Sequence, residues 1–186
     1  DWNPMYKTVL YPYNQNNYTP RTHVGYLKAA EEAVKKSSGC REINVEGIKG
    51  LSALTEIFSY PSQIIFDYMH LVCLGRIPTL IKRWCQIISK QNVQDIDDVL
   101  KQIRIPHNMK VSYTESIMAV DQWKAKNSRL FVLNIGVPIC VSHLPILFAS
   151  HFVIYSIAIK LLHAPKSDDE INLAQQLINY YCKTAP

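Results

Sequence analysis

Ile64-Ile65-Phe66-Asp67-Tyr68-Met69-His70-Leu71-Val72-Cys73-Leu74-Gly75 is the stretch on which the reading of the fold turns. An apolar run ends on an acid, a histidine follows three residues later, and apolar residues resume. Such a run predicts a buried strand end or tight turn before Asp67. The residues after it, through Trp84, predict a helix. At the mouth of a helix, Asp67 and His70 at i+3 lie on one face within side-chain reach. The pair admits two roles. Asp67 can cap the helix by accepting the orphan N–H groups of its first turn, with His70 at the third position. Alternatively, it can be a carboxylate metal ligand beside a histidine. On spacing alone the cap is the better reading, because short motifs match by chance.

The 186 residues suit one domain, or a piece of a larger one, and can bury a core. With 48% hydrophobic and 19% charged residues, the composition excludes a disordered chain. A net charge of +5 permits contact with nucleic acid without demanding it. Cys40, Cys73, Cys85, Cys140 and Cys182 are scattered, odd in number and without a Cys-x-x-Cys pair, which excludes a zinc knuckle within the chain and suggests a reducing compartment. Asp1-Trp2-Asn3-Pro4 reads as an excised start. The chain is therefore expected to be a single partial domain over 1–186, with an extended N-terminal part and a helix in 1–63, and the Asp-x-x-His segment and a helical region in 64–186.

Residues 1–21 carry Pro4, Pro12 and Pro20 among Tyr6, Tyr11, Tyr13 and Tyr18, and predict an extended, turn-rich segment with aromatic anchors. Thr22 to Lys36 predicts a helix capped by Thr22, with Tyr26, Ala29, Ala30 and Ala33 on its apolar face. A loop with Gly47 and Gly50 leads to a short amphipathic piece, Leu51 to Phe58. Pro78 predicts a kink or break near Ile77. Further helices are expected over Asn92–Ile103 and Ile117–Leu133. No Asp, Glu, Lys or Arg occurs from Leu130 to Ile159, and Leu144–Leu162 satisfies a membrane-span window. His143, Pro145, Ser150, His151 and Ser156 interrupt that run and no aromatic belt frames it, so a wholly buried core helix is expected, and no membrane partner. His143 and His151 are expected to be satisfied core or boundary histidines rather than metal ligands. Ser167 and Glu170 predict a capping box opening a last helix.

Several stretches together resemble one family: Arg21-Thr22-His23, Phe66 to Gly75, Trp84, Ile105-Pro106, Trp123-Lys124-Ala125, Arg129, and His151-Phe152 with the helix after it. In this order they resemble the middle and C-terminal part of the catalytic region of CACTA (En/Spm-like) DNA-transposon transposases, from about Tyr11 to Tyr181. The resemblance implies a mainly α fragment of a ribonuclease-H-like core with a helical insertion and little strand. It implies DNA as partner, a nuclear location, and a second copy of the chain as a permitted partner. The implied chemistry is DNA cleavage and strand transfer by acids holding two Mg²⁺ ions, one activating the attacking oxygen and one stabilising the leaving oxygen. By this carry-over Asp67 is the second catalytic aspartate and a metal ligand, and His70 is its signature neighbour, orienting the carboxylate or touching the scissile strand. That reverses the odds set by spacing alone, and the two roles can coexist.

The departures from the family pattern weigh against catalysis. The family's first aspartate lies upstream, before a cysteine pair, and neither is in this sequence. Its third acid follows Trp-Lys-Ala by two residues, where Asn127 stands here. Glu115 and Asp121 are the substitutes available if that register is displaced. Three functions remain open: a transposase-derived DNA-processing domain inactive as it stands, a non-catalytic helical module for protein or DNA interaction, and, on Leu144–Leu162 alone, a membrane-associated protein. A working DNA channel should gather Lys82, Arg83, Lys124, Lys126 and Arg129 on the side facing Asp67.

Overall fold

The Thr22 hydroxyl accepts the Gly25 N–H at 3.1 Å, so the first helix, α1 (His23–Lys36), starts where the sequence predicts. Ala29, Ala30 and Ala33 make its buried face, and Lys35 and Lys36 sit at its negative end. The computed structural model describes residues 2–3, 8–9, 19–37, 43–64 and 67–184, and the chain divides into two compact units, Asp1–Phe66 and Asp67–Pro186.

In the first unit the Arg21-Thr22-His23 run is structural. The Arg21 guanidinium donates to the Glu46 carbonyl at 2.7 Å and reaches the Tyr60 hydroxyl at 3.5 Å. His23 Nδ1 accepts the Tyr60 N–H at 3.1 Å, and the Tyr26 and Tyr60 rings lie 4.5 Å apart. The expected amphipathic piece is a 3₁₀ helix, Ala53–Glu56, but Leu54 and Ile57 are exposed. The anchoring tyrosines at 6, 11, 13 and 18 lie outside the described residues. Two antiparallel two-residue strands, Trp2–Asn3 and Thr8–Val9, are the strands among the described residues. The strand expected before Asp67 is not found in its described part. Residues 60–63 form a turn and Ile64 has no regular structure and is exposed, so no burial draws the chain into a sheet there; 65 and 66 lie outside the described residues.

The second unit is helical: α2 (Ile77–Cys85), α3 (Lys90–Gln102), α4 (Ala125–Leu130), α5 (Gly136–His143), α6 (Ile146–His163) and α7 (Asp168–Lys183). With α1, they make the described chain mainly α, as the sequence predicts. Two of the α-helices are entered through π-helical turns, Met69–Arg76 before α2 and Phe131–Ile135 before α5. The Ile77 N–H donates to the Val72 carbonyl, and the Gly136 N–H to the Phe131 carbonyl, each five residues back. A proline follows each turn, Pro78 and Pro138. Proline lacks an N–H and crowds the carbonyl four residues before it, and the wider winding upstream relieves both constraints. The break predicted at Ile77 is therefore a change from π to α winding.

The single helix expected over Ile117–Leu133 is divided. A 3₁₀ helix, Ile117–Gln122, stops at extended Trp123 and Lys124 before α4 begins. The extended backbone lets the Trp123 indole enter the core, 4.9 Å from the Tyr113 ring and 5.5 Å from that of Phe131. Phe131 lies 5.8 Å from Phe152, and Phe152 meets Trp84 edge-on at 5.1 Å. This relay of rings joins the segment before α4 to the second π turn, α6 and α2. Aromatic pairs at such spacings stabilise by about 0.5–1.5 kcal/mol each beyond their buried area.

α6 is long and apolar enough to cross a membrane, with a mean hydropathy of 1.6. It is not wholly buried as expected: 39% of it is buried, including Ala149, Phe152, Tyr155, Ala158 and Ile159, whereas Ile146, Leu147 and Leu162 are exposed. The difference follows from its neighbours, since α7, α5 and the second π turn cover one side of it. Ser156 donates to the Val132 carbonyl at 2.6 Å, tying α6 to that turn. α7 opens as predicted: Ser167 Oγ accepts the Glu170 N–H at 3.3 Å, and the Glu170 carboxylate reaches back to the Lys166 N–H at 2.7 Å.

Candidate nucleic-acid interface

Asp67 begins the second unit and is exposed. Its Oδ1 accepts the N–H groups of Met69 at 2.8 Å and His70 at 3.3 Å, and its Oδ2 accepts from His70 Nδ1 at 2.6 Å. The cap and the acid–histidine pair therefore coexist in one carboxylate. The His70 side-chain bond, followed by the backbone donors, holds the Asp67 carboxyl below its ordinary value. With Nδ1 given to Asp67, His70 Nε2 is the ring nitrogen left for another partner. Gly75 serves the same corner: a Cβ there would stand 2.8 Å from the His70 carbonyl oxygen.

α4, which carries Asn127 where the resemblance expects a third acid, packs directly against the π turn that Asp67 opens. Asn127 nevertheless faces a structural task. It is 7% exposed, its Nδ2 donates to the Ser112 carbonyl at 2.7 Å, and its own carbonyl accepts from the Tyr113 hydroxyl at 2.7 Å. These bonds fix the loop before the Ile117 helix against α4. Of the substitutes, Asp121 pairs with Lys82 at 2.6 Å on the surface and Glu115 is exposed. Among the described residues, no three or more acids, histidines or cysteines converge on one point.

The five cations named from the sequence divide. Lys82 is held by Asp121, Lys124 is exposed, and Arg83 lines a cleft between α2, α6 and α7. Lys126 and Arg129 share an open groove of about 440 Å³ with two residues not among those five, Lys160 and His163, at the end of α6. Arg129 donates to His163 Nε2 at 2.8 Å, and Lys126 donates to the Lys110 carbonyl. The groove comes close to the Asp67 corner through Tyr68. The Tyr68 ring lies 5.9 Å from that of His163, and the Arg129 charge is felt at both the Tyr68 hydroxyl and the Cys73 thiol. Burial outweighs that charge and pushes both groups up, so both stay protonated. Lys160 and His163 were hidden because they end an apolar run, where last-turn cations ordinarily serve only the helix dipole.

Of the two histidines predicted to be structural, His151 is so placed. His151 is buried, donates through Nε2 to the Tyr181 carbonyl at 2.9 Å and stacks on the Tyr181 ring at 4.1 Å. His143 ends α5, where its carbonyl accepts from Asn92 at 3.2 Å. No family model, curated protein or solved structure matches the chain.

Proposed function

We propose that this chain is a transposase-derived module that holds DNA through its phosphate backbone and does not cleave DNA by itself. The observation that carries the reading is the groove in which Lys126, Arg129 and Lys160 are gathered beside Tyr68, one residue from Asp67. Cations lining an open groove match the regular negative charge of a nucleic-acid backbone. The ancestry rests on the Asp-x-x-His block and on the order of motifs that follows it, and it places the protein in the nucleus.

The ancestral chemistry needs Mg²⁺, a hard cation that takes near-octahedral oxygen ligands. The described residues alone do not fit that demand. Both Asp67 oxygens already accept hydrogen bonds, and the amide at position 127 is committed to Ser112. The separation of Lys82 and Arg83 from the groove favours a second reading, a helical module that binds protein and not DNA.

Fluorescence anisotropy of a labelled blunt duplex across a salt series decides between them. With three phosphates neutralised, log K should fall against log salt with a slope of about −2.7, and Arg129→Ala or Lys160→Ala should each reduce its magnitude by about 0.9. Binding that ignores salt, or no binding at low salt, would remove the DNA reading and leave the protein module.

A further inference from the structure

A second cleft lies between α2, α6 and α7, with a volume of about 270 Å³. Trp84 of α2, Ile87 in the turn that follows it, and Phe148 and Phe152 of α6 supply its apolar walls, and Arg76 and Arg83 supply its charge. Among the described residues no carboxylate pairs with either arginine. Arg76 is also held in place: its guanidinium donates to the Tyr181 hydroxyl, at 3.0 Å from Nε, and lies 5.2 Å from the centre of the Tyr181 ring. Tyr181 is fixed in turn by the stacked and hydrogen-bonded His151.

An apolar slot with two guanidinium groups free of acids calls for an occupant with a flat apolar body and an anionic group. The volume is just under the usual span of ligand pockets, about 300–1,000 Å³, so it suits one ring system rather than an extended ligand. Guanidinium groups are suited to phosphate through their planar fork of donors, and aromatic walls stack any nucleobase without regard to sequence. We propose that this cleft takes one unpaired nucleotide of a DNA strand, with the base among Trp84, Phe148 and Phe152 and its phosphate on Arg76 and Arg83. The proposal rests on the DNA-binding reading above and gives it a substrate class, DNA with an unpaired end.

The test compares a blunt duplex with the same duplex carrying a three-nucleotide overhang, by anisotropy at fixed salt. The overhang should bind about tenfold tighter, in line with stacking of about 1–3 kcal/mol per base. Arg83→Ala, an exposed change, should abolish that preference and leave blunt-duplex affinity as it was, with a thermal melt confirming the fold. Equal binding of both DNAs by the wild type overturns the cleft assignment while the basic groove stands. A preference that survives in Arg83→Ala also overturns it. So does binding of a peptide bearing an aromatic residue beside a carboxylate, with no overhang effect. Failure to bind either DNA removes this proposal together with the reading beneath it.

Discussion

Asn127 shows how one atom can decide between a catalytic acid and a packing residue. Its Nδ2 points a donor at the Ser112 carbonyl at 2.7 Å from a position 7% exposed. Asn127→Asp keeps the shape and turns that donor into an anionic oxygen facing another oxygen. An unpaired buried charge typically costs about 3–5 kcal/mol, so chemical denaturation should show a loss of that order, with no gain of nuclease activity. Asp67 makes the opposite case, an acid whose partners favour its charge. Its folded pKa lies below the unfolded value, so the stabilisation is complete above the ordinary carboxylate range and is lost as pH falls through the folded pKa. Asp67→Asn can still cap but brings no negative charge to its bond with His70. Its melting temperature should sit below that of the wild type near neutrality, and the gap should narrow as the pH falls below the ordinary carboxylate range and close once it passes the lowered folded pKa. At this scale much was legible. The i+3 spacing is enough to foresee both the cap and the histidine bond. The Arg129–His163 contact was not, because it joins residues 34 apart in sequence, one on α4 and one at the end of α6.

α1 and α7 begin where the sequence places their caps, because Thr22 and Ser167 each accept an N–H from the first turn, whereas α3 begins at Lys90, two residues before the expected Asn92, on a Ser89 cap outside the sequence reading. Their winding did not announce itself. Pro78 signals a disturbance, yet sequence alone cannot distinguish a kink from a widened turn. The extended residues Trp123 and Lys124 belong to no local rule; burial of an indole overrode the helical pattern of Ile117–Leu133. The widened turns make a sharp prediction. At Gly136 a Cβ would lie 2.7 Å from the Phe131 carbonyl oxygen and 2.8 Å from its ring, and both atoms are buried in the core. Gly136→Ala should destabilise by about 1–3 kcal/mol, the usual range for overpacking, read as a lower urea midpoint at unchanged slope. Glycine at 75 meets only backbone, so Gly75→Ala should also act through the His70 carbonyl and weaken the Asp67 pair; the proton resonance of the His70 ring reports it.

For the second unit as a whole, the ring relay through Trp123, Phe131, Phe152 and Trp84 is the feature that spans the most elements. Phe131→Ala removes one of its two inner members, which is fully buried. The expected loss is about 3–5 kcal/mol, with near-ultraviolet circular dichroism from both tryptophans collapsing in one transition if the unit folds cooperatively. The first π turn has a further bearing on the chain's history. Such a turn amounts to one residue inserted into an α-helix, and each residue advances the helix by about 100°. Deleting one position between Met69 and Arg76 would keep α2 seated through Trp84 while swinging everything upstream around the axis. The acid and its histidine would then look out over a different quarter of the surface, and Tyr68 between them would leave its place beside His163. An inserted residue thus sets the bearing of that corner, and its removal offers a way to uncouple the two surfaces without altering a single side chain in either.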